Sequence, residues 1–164
     1  RHMPTVDISR TILCRSMSAA SPLRASIRPG KGGLKSTDRS HIKERKPGTV
    51  ESSLDLDTAY TELHPTSTKK RWDYVLGIQD RNASVIAVEV HPMGPSEVST
   101  LIEKKEAAES YLKTQFAPGK TVQAWYWVAS GRNQLSKTTA EFKKLGKARI
   151  TAAGPVLELP PGAR

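Results

Sequence analysis

A carboxylate and an imidazole stand two positions apart in the apolar run "VIAVEVHP", residues 85–92. Because side chains alternate between the two faces of a strand, Glu89 and His91 share one face. An unpaired carboxylate is costly to bury, so this pair needs a partner, a metal ion or an exposed cleft. Either a metal site or a hydrogen-bonded structural pair at the end of a sheet would satisfy that need.

A second carboxylate, Asp73, lies 16 positions before Glu89 in the β-rich run "RWDYVLGIQ". The intervening "DRNA" is typical of a hairpin loop, which would bring Asp73 and Glu89 to the same end of a sheet. There the two carboxylates could bind Mg²⁺ or Mn²⁺, which polarises a phosphate and lowers the pKa of a bound water. His91 could orient that water or stabilise developing charge. We therefore expect Asp73 and Glu89 to be metal ligands, and both to be catalytic together with His91.

The strongest helical pattern in the chain is "PSEVSTLIEKKEAAESYLKTQF", residues 95–116, with Ser96 as the expected N-cap. Its apolar stripe consists of Val98, Leu101, Ile102, Ala108 and Leu112. Lys105 falls near the middle of this stripe, an unusual position for a lysine, from which it could reach the Glu89 site. The alternative is that Lys105 extends to solvent and makes ordinary surface charge with Lys104.

The remaining runs predict an α/β (α+β) domain with a mixed central sheet flanked by helices. Residues 49–63 favour a helix that stops before His64-Pro65, and "VQAWYWVAS" favours a strand. A weaker helix, "SKTTAEFKKLGK", and a last apolar stretch, "PVLELP", follow. The expected core order is α-β-β-(β)-α-β, with room for the bracketed strand near residues 60–70.

Composition favours one domain and an anionic partner. The chain has 164 residues, with 26 Lys and Arg against 16 Asp and Glu, and a formal net charge of +10. This excess favours nucleic acid, an anionic membrane or an acidic protein. Residues 1–48 are rich in Ser, Arg, Pro and Gly and predict a basic, irregular arm, which leaves residues 49–164 as the α/β domain. The candidate substrate-binding residues are Arg39 and His41 in this arm, and Arg71 and Lys104 in the α/β domain. The arm could equally be a solvated linker.

Several classes of protein are disfavoured. A single cysteine, Cys14, excludes an intrachain disulfide, so the fold needs no oxidising compartment. No apolar run approaches the ~18 residues of a membrane span. "TILCRSMSAA" is broken by Arg15 and too short for a signal peptide. Ser52 and Ser53 lack an adjacent His-Asp pattern, which disfavours a serine hydrolase.

Asp73, followed by "EVH" at residues 89–91 within the α-β-β-α-β order, resembles the core of the PD-(D/E)xK nuclease superfamily. The resemblance covers residues 50–130 and implies a metal-dependent hydrolase of phosphodiester bonds in RNA or DNA. Asp73 and Glu89 match the two acidic positions, whereas Trp72 replaces the proline and His91 the lysine. Some members place the catalytic lysine on the following helix, which implies that Lys105 is catalytic and reaches the Glu89 site. Members often add an acidic ligand from the first helix, where this chain has Glu51, Asp55 and Asp57; these could equally be surface acids.

A small, basic domain of this kind also resembles the C-terminal toxin domains used between competing bacteria. That resemblance implies delivery from another cell, action in the cytoplasm and an acidic immunity protein as inhibitor. A contrasting hypothesis is a non-catalytic module on the same fold that binds nucleic acid or an acidic protein. A third is a structural subunit of a larger assembly.

Overall fold

A mixed β-sheet of six strands forms the centre of the computed structural model, which describes residues 5–161. The elements follow the chain in this order: α1 (Ile12–Ser16), β1 (Arg28–Pro29), β2 (Ile42–Glu44), β3 (Val50–Asp55), α2 (Leu56–Leu63), β4 (Tyr74–Gln79), β5 (Ala83–Met93), α3 (Val98–Gln115), β6 (Ala124–Asn133), α4 (Ala140–Lys147), β7 (Ile150–Ala152) and β8 (Leu157–Leu159). The sheet order is β1-β3-β4-β5-β6-β7. In this sheet the pairs β1–β3, β3–β4 and β4–β5 are antiparallel, and the pairs β5–β6 and β6–β7 are parallel. The predicted α/β class with a mixed sheet flanked by helices is confirmed.

The predicted hairpin and the long helix are both present. β4 and β5 pair antiparallel from Tyr74↔Val88 to Gln79↔Ala83. The chain then crosses over through α3 to β6, which lies parallel to β5, as expected for a helical connection. A 3-10 turn, Pro95–Glu97, precedes α3, whose N-cap is Glu97 rather than the predicted Ser96.

The helix predicted for residues 49–63 is correct only in its second half. Val50–Asp55 forms β3, which lies between β1 and β4 and is covered on both faces. A strand buried on both faces lacks the alternating pattern that would distinguish it from a helix. α2 begins at Leu56, where Asp55 accepts a hydrogen bond from Thr58 N at 2.9 Å. Residues 64–73 form no strand, so the optional strand expected near residues 60–70 is wrong; β7 takes the sixth place in the sheet instead.

The two faces of the sheet carry separate cores. On one face, helices α1, α2, α3 and α4 pack against a cluster that includes Ala87, Trp125 and Trp127. On the other face, a small parallel sheet of β2 and β8 covers a cluster that includes Val88 and Val128. Because neighbouring residues of β5 point to opposite faces, Glu89 belongs to the helical face.

The segment expected to be an irregular arm is packed into the same core. Leu13, Leu23 and Ile27 are buried, and β1 pairs with β3. α1 lies against β4 at Gly77, where an added Cβ would be 3.0 Å from Ile12 Cβ. The packing therefore shows no boundary at residue 48. A few spaced apolar residues are enough to bury a segment that is otherwise rich in Ser and Arg. Residues 1–4 of the predicted arm and 162–164 of the predicted domain lie outside the described residues.

Candidate active site at the end of strand β5

Asp73 and Glu89 are held together by reciprocal hydrogen bonds. Asp73 directly precedes β4, and its backbone N–H donates to Glu89 Oε1 at 2.9 Å. The backbone N–H of Val90 in turn donates to Asp73 Oδ2 at 3.0 Å. The hairpin register therefore fixes both carboxylates at one end of the β4–β5 pair.

Lys104 of α3 completes this cluster. Its Nζ lies 2.5 Å from Glu89 Oε2, and the Glu89 side chain is only 1% exposed. The Lys104 side chain is 22% exposed, so it extends from solvent to a buried carboxylate. Hydrogen bonds to an ionised partner are among the strongest in proteins, and this one ties α3 to the end of β5.

The two carboxylates have raised pKa values. Burial, followed by the negative charge of Asp73, raises the pKa of Glu89 to about 8. Burial also raises the pKa of Asp73 to about 6, against the lowering effects of the Val90 hydrogen bond and the Lys104 charge. Lys104 alone is thus too little positive charge to keep both groups ionised at neutral pH. Such a pair is chemically suited to a divalent cation, which would supply the missing charge.

His91 follows Glu89 on the same face of β5. Its imidazole is half-buried, and burial followed by the charge of Lys104 lowers its pKa below the usual 6.5. Its carbonyl oxygen accepts a hydrogen bond from Trp127 Nε1 at 3.1 Å. The ring is therefore neutral at pH 7, and the ammonium group of Lys104 is close enough to affect its protonation.

Lys105 does not reach the Glu89 site, and the expectation that it would is wrong in geometry. Its Nζ donates to the carbonyl of Ala148, the C-cap of α4, and lies 5.5 Å from the centre of the Trp125 ring. Lys105 is buried, as its place in the apolar stripe indicates. At that point the stripe packs against α4 and Trp125. Glu89 lies at the edge of the stripe, where it contacts Lys104.

Two candidate substrate-binding residues lie away from this site. Arg39 Nε donates to Leu34 O at 3.0 Å, and His41 Nδ1 donates to Pro155 O at 2.7 Å. Both belong to a turn that directly follows Asp38, which accepts a hydrogen bond from the Tyr74 hydroxyl. Tyr74 belongs to the core on the opposite face of the sheet from Glu89, so the structure does not bring Arg39 or His41 to the carboxylates.

Arg71 lies two residues before Asp73 and lines a neighbouring cavity. Its Nη2 donates to Ser67 O at 2.9 Å, and its guanidinium carbon lies 5.1 Å from the centre of the Tyr60 ring. Its Nε is 3.9 Å from Asp57 Oδ1. Arg71 is thus near the site, although within residues 5–161 it forms an ion pair with neither Asp73 nor Glu89.

The three acids considered as additional metal ligands have other partners. Glu51 accepts hydrogen bonds from Ile12 N and Ser52 Oγ, and Asp55 caps α2. Asp57 contributes to the raised pKa of Asp73 and is therefore near the site, but it faces Arg71. Among residues 5–161 there is no group of three or more His, Cys, Asp or Glu side chains placed to bind a metal ion.

The donor set is compatible with a cation that retains several water ligands. Asp73 Oδ1 accepts no hydrogen bond within the part of the chain that the structure describes, whereas Oδ2 accepts one from Val90. One or two carboxylates with several waters is the usual protein environment of Mg²⁺. Asp73 and Glu89 are therefore suitable ligands for the divalent cation that the sequence implies.

Sequence reasoning placed Lys104 among the substrate-binding residues and missed its contact with Glu89. The signal that could have found it is helical spacing. Lys104 follows Leu101 by three positions and precedes Ala108 by four, and both of these residues are buried. That spacing places Lys104 along one edge of the buried stripe.

Comparison with known proteins finds no family model, no curated protein and no solved structure that matches this chain. Within residues 5–161, no helix has the length and apolar character needed to cross a membrane.

Proposed function

We propose that the protein is a metal-dependent nuclease that hydrolyses phosphodiester bonds in RNA or DNA. The observation that carries this proposal is the cluster of Asp73, Glu89 and Lys104 at the end of β5. Two carboxylates and a lysine are the site groups of the PD-(D/E)xK nucleases that the sequence resembles. In this chain the lysine would come from α3 rather than from β5.

Asp73 and Glu89 would hold Mg²⁺ or Mn²⁺. The raised pKa values of both groups support this role, because binding a cation is what would make their joint ionisation favourable. When bound, the cation would polarise the phosphate and lower the pKa of a bound water. The chain itself contributes the rigid hairpin that holds the two carboxylates together.

Lys104 and His91 would act on the charges of the reaction. Lys104 donates a hydrogen bond to Glu89, and its ammonium group is close enough to stabilise negative charge developing on a phosphate at the carboxylates. His91 is neutral at pH 7 because burial lowers its pKa, so it can accept a proton from the attacking water. The formal net charge of +10 suits a polyanionic substrate.

The biological setting is part of the proposal. A nuclease of this kind would act in the cytoplasm of the cell it enters, as a toxin domain delivered from another cell. Its basic surface would then also suit an acidic immunity protein as inhibitor.

One observation favours a second candidate, a non-catalytic module that binds nucleic acid or an acidic protein. Both oxygens of Glu89 accept hydrogen bonds, from Asp73 N and from Lys104 Nζ, so the buried carboxylate is satisfied without a cation. A site that had lost catalysis would keep this arrangement as a structural ion pair.

Incubation with plasmid DNA, single-stranded DNA and total RNA separates the two candidates. The nuclease degrades at least one of them with Mg²⁺ or Mn²⁺ and none with EDTA. Asp73→Asn and Glu89→Gln abolish degradation, whereas Glu106→Gln, an equal loss of charge at an exposed position of α3, leaves it intact. Mobility shifts without degradation under every condition would contradict the nuclease and favour the binding module.

A further inference from the structure

A cavity of about 630 Å³ opens between α2 and α3, beside the candidate active site. We refer to it as the α2–α3 cavity, and the residues that matter for its chemistry are Tyr60, Lys69, Lys70, Arg71, Trp72 and Tyr111. Its volume lies within the ~300–1,000 Å³ range of small-molecule sites. Its lining combines aromatic rings with three consecutive cationic residues.

Aromatic side chains form one wall of the cavity. The rings of Tyr60 and Tyr111 meet edge to face, with centroids 4.8 Å apart, and His64 lies 4.6 Å from Tyr60. The Arg71 guanidinium lies over the Tyr60 ring. Aromatic rings and guanidinium planes are the surfaces on which unstacked nucleobases bind.

Three buried polar atoms on the lining residues have no hydrogen-bond partner within residues 5–161: Arg71 Nε, Trp72 Nε1 and Tyr111 Oη. Each carries a proton that it can donate. A buried donor without a partner costs free energy, and such atoms are rare in native structures. None of these atoms is exposed to the cavity, so a ligand can accept from them only if their side chains turn toward it; nucleobases present suitable carbonyl oxygens and ring nitrogens on their edges.

The cavity lies next to the candidate active site, because the chain leads directly from its lining to two residues of the site. Trp72 lines the cavity and Asp73 follows it directly; Glu103 lines the cavity and Lys104 follows it directly. Lys70 forms an ion pair with Glu103 at 3.8 Å on the same rim. A nucleotide in the cavity would therefore have a phosphate near Asp73 and Lys104, with Lys69 and Lys70 beside the backbone.

We propose that the α2–α3 cavity binds one unpaired nucleobase of a single-stranded nucleic acid, next to the phosphodiester bond at the carboxylates. The inference rests on the proposed nuclease function and specifies its substrate: base-paired nucleotides cannot enter the cavity, because their edges and faces are occupied within the duplex. The base in the cavity would then determine which phosphodiester bond is cleaved.

Binding of fluorescently labelled oligonucleotides to the full chain in EDTA provides the first test. A 12-nucleotide single strand binds more tightly than the same sequence in a blunt duplex. Tyr111→Phe removes only a buried hydroxyl without a partner, so it does not lower the melting temperature, but it weakens single-strand binding about three- to tenfold. Tyr126→Phe, an equal change in the opposite core, alters neither quantity. Equal affinity for single strand and duplex, or no effect of Tyr111→Phe on binding, would overturn the proposal.

Photo-crosslinking with a 5-iodouracil-substituted single strand locates the base directly. The expected cross-links map by mass spectrometry to peptides containing Tyr60 or Tyr111; cross-links confined to residues 31–43 would instead place the nucleic acid on the opposite face of the sheet. The cleavage assay reports separately on the nuclease. Cross-linking at Tyr111 without metal-dependent cleavage would refute catalysis and retain the cavity, and cleavage with cross-links elsewhere would do the reverse.

Discussion

Lys104 and Lys105 are neighbours on α3, yet their ammonium groups contact different parts of the molecule. Lys104 Nζ donates to Glu89 at the end of β5, and Lys105 Nζ donates to the carbonyl of Ala148 at the end of α4. Successive residues of a helix are rotated by about 100°, so two adjacent lysines can serve two separate sites. This relationship supplies a pair of matched variants.

Replacing each lysine in turn separates catalysis from stability. Lys104→Met removes the ammonium group from the carboxylates, and we expect turnover to fall by ~10²–10³. Lys105→Met leaves turnover near that of the wild type and lowers the free energy of unfolding by about 1 kcal/mol, because the Ala148 carbonyl loses its donor. Single-turnover cleavage and urea denaturation measure the two effects. Full activity in Lys104→Met would remove this lysine from the mechanism.

The buried carboxyl of Glu89 predicts a pH-dependent cost in stability. Its pKa is raised to about 8 in the folded protein, so the folded state binds more protons than the unfolded state above the unfolded value of 4.5. Stability is therefore highest below pH 4.5 as far as this group is concerned, and it falls as the pH rises through 8. In EDTA, we expect the melting temperature of Glu89→Gln relative to the wild type to increase from pH 5 to pH 8. Added Mg²⁺ should raise the melting temperature of the wild type at pH 8 and not that of the variant. A difference independent of pH would contradict the raised pKa.

His91 can be tested as a proton acceptor by the ratio of two rates. His91→Ala should lower turnover about 10²-fold at pH 8, where the wild-type imidazole is neutral. Because the pKa of His91 lies below 6.5, the wild-type ring becomes protonated only at lower pH, and the ratio of wild-type to variant rates should then decrease. Rates measured from pH 5 to pH 8.5 give this ratio. Titration of Asp73 and Glu89 affects both proteins alike and therefore cancels in the ratio. A constant ratio would assign His91 another role.

Gly77 tests whether the N-terminal segment is part of the core. An alanine Cβ there would lie 2.5 Å from Ser52 Oγ of β3 and 3.0 Å from Ile12 Cβ of α1, so the Ser52 hydroxyl must shift and α1 must give way slightly. We expect Gly77→Ala to lower the free energy of unfolding by about 1–3 kcal/mol. Gly146 in α4 has open space at its Cβ position, and Gly146→Ala should raise stability by about 0.5–1 kcal/mol. Equal effects of the two substitutions in urea denaturation would show that α1 does not pack tightly on β4.

The proximity of Asp73 and Glu89 follows from local sequence, because a short loop between two β-rich runs fixes the register of a hairpin. The position of Lys104 does not follow in the same way. The apolar stripe predicts which side of α3 is buried, and Lys105 is indeed buried, but the groups opposite that side are set by where α4 and β5 pack. As a result, the contact with Glu89 was predicted for Lys105, whereas its neighbour Lys104 makes it.

Other differences also arise from distant contacts. β3 was predicted as part of a helix because Val50–Asp55 shows no alternation of apolar and polar residues. Its strand conformation depends on pairing with β1 and β4 and on the two cores that cover its faces. The α2–α3 cavity depends on Tyr60 and Tyr111, which are far apart in the sequence and carry no motif. Such a site becomes visible only when two helices are placed side by side.

The small β2–β8 sheet has a consequence for how the chain acquires its structure. Its strands pair Ile42 with Leu157, and beside it Arg45 donates to Pro160, 115 residues further along the chain. Contacts between such distant residues must close a very large loop, which makes folding slow compared with that of a helical protein of similar size. A nascent chain synthesised only as far as α4 has no partner for β2 and leaves that face of the central sheet uncovered. The folded protein would therefore form late, after nearly the whole described chain has been made.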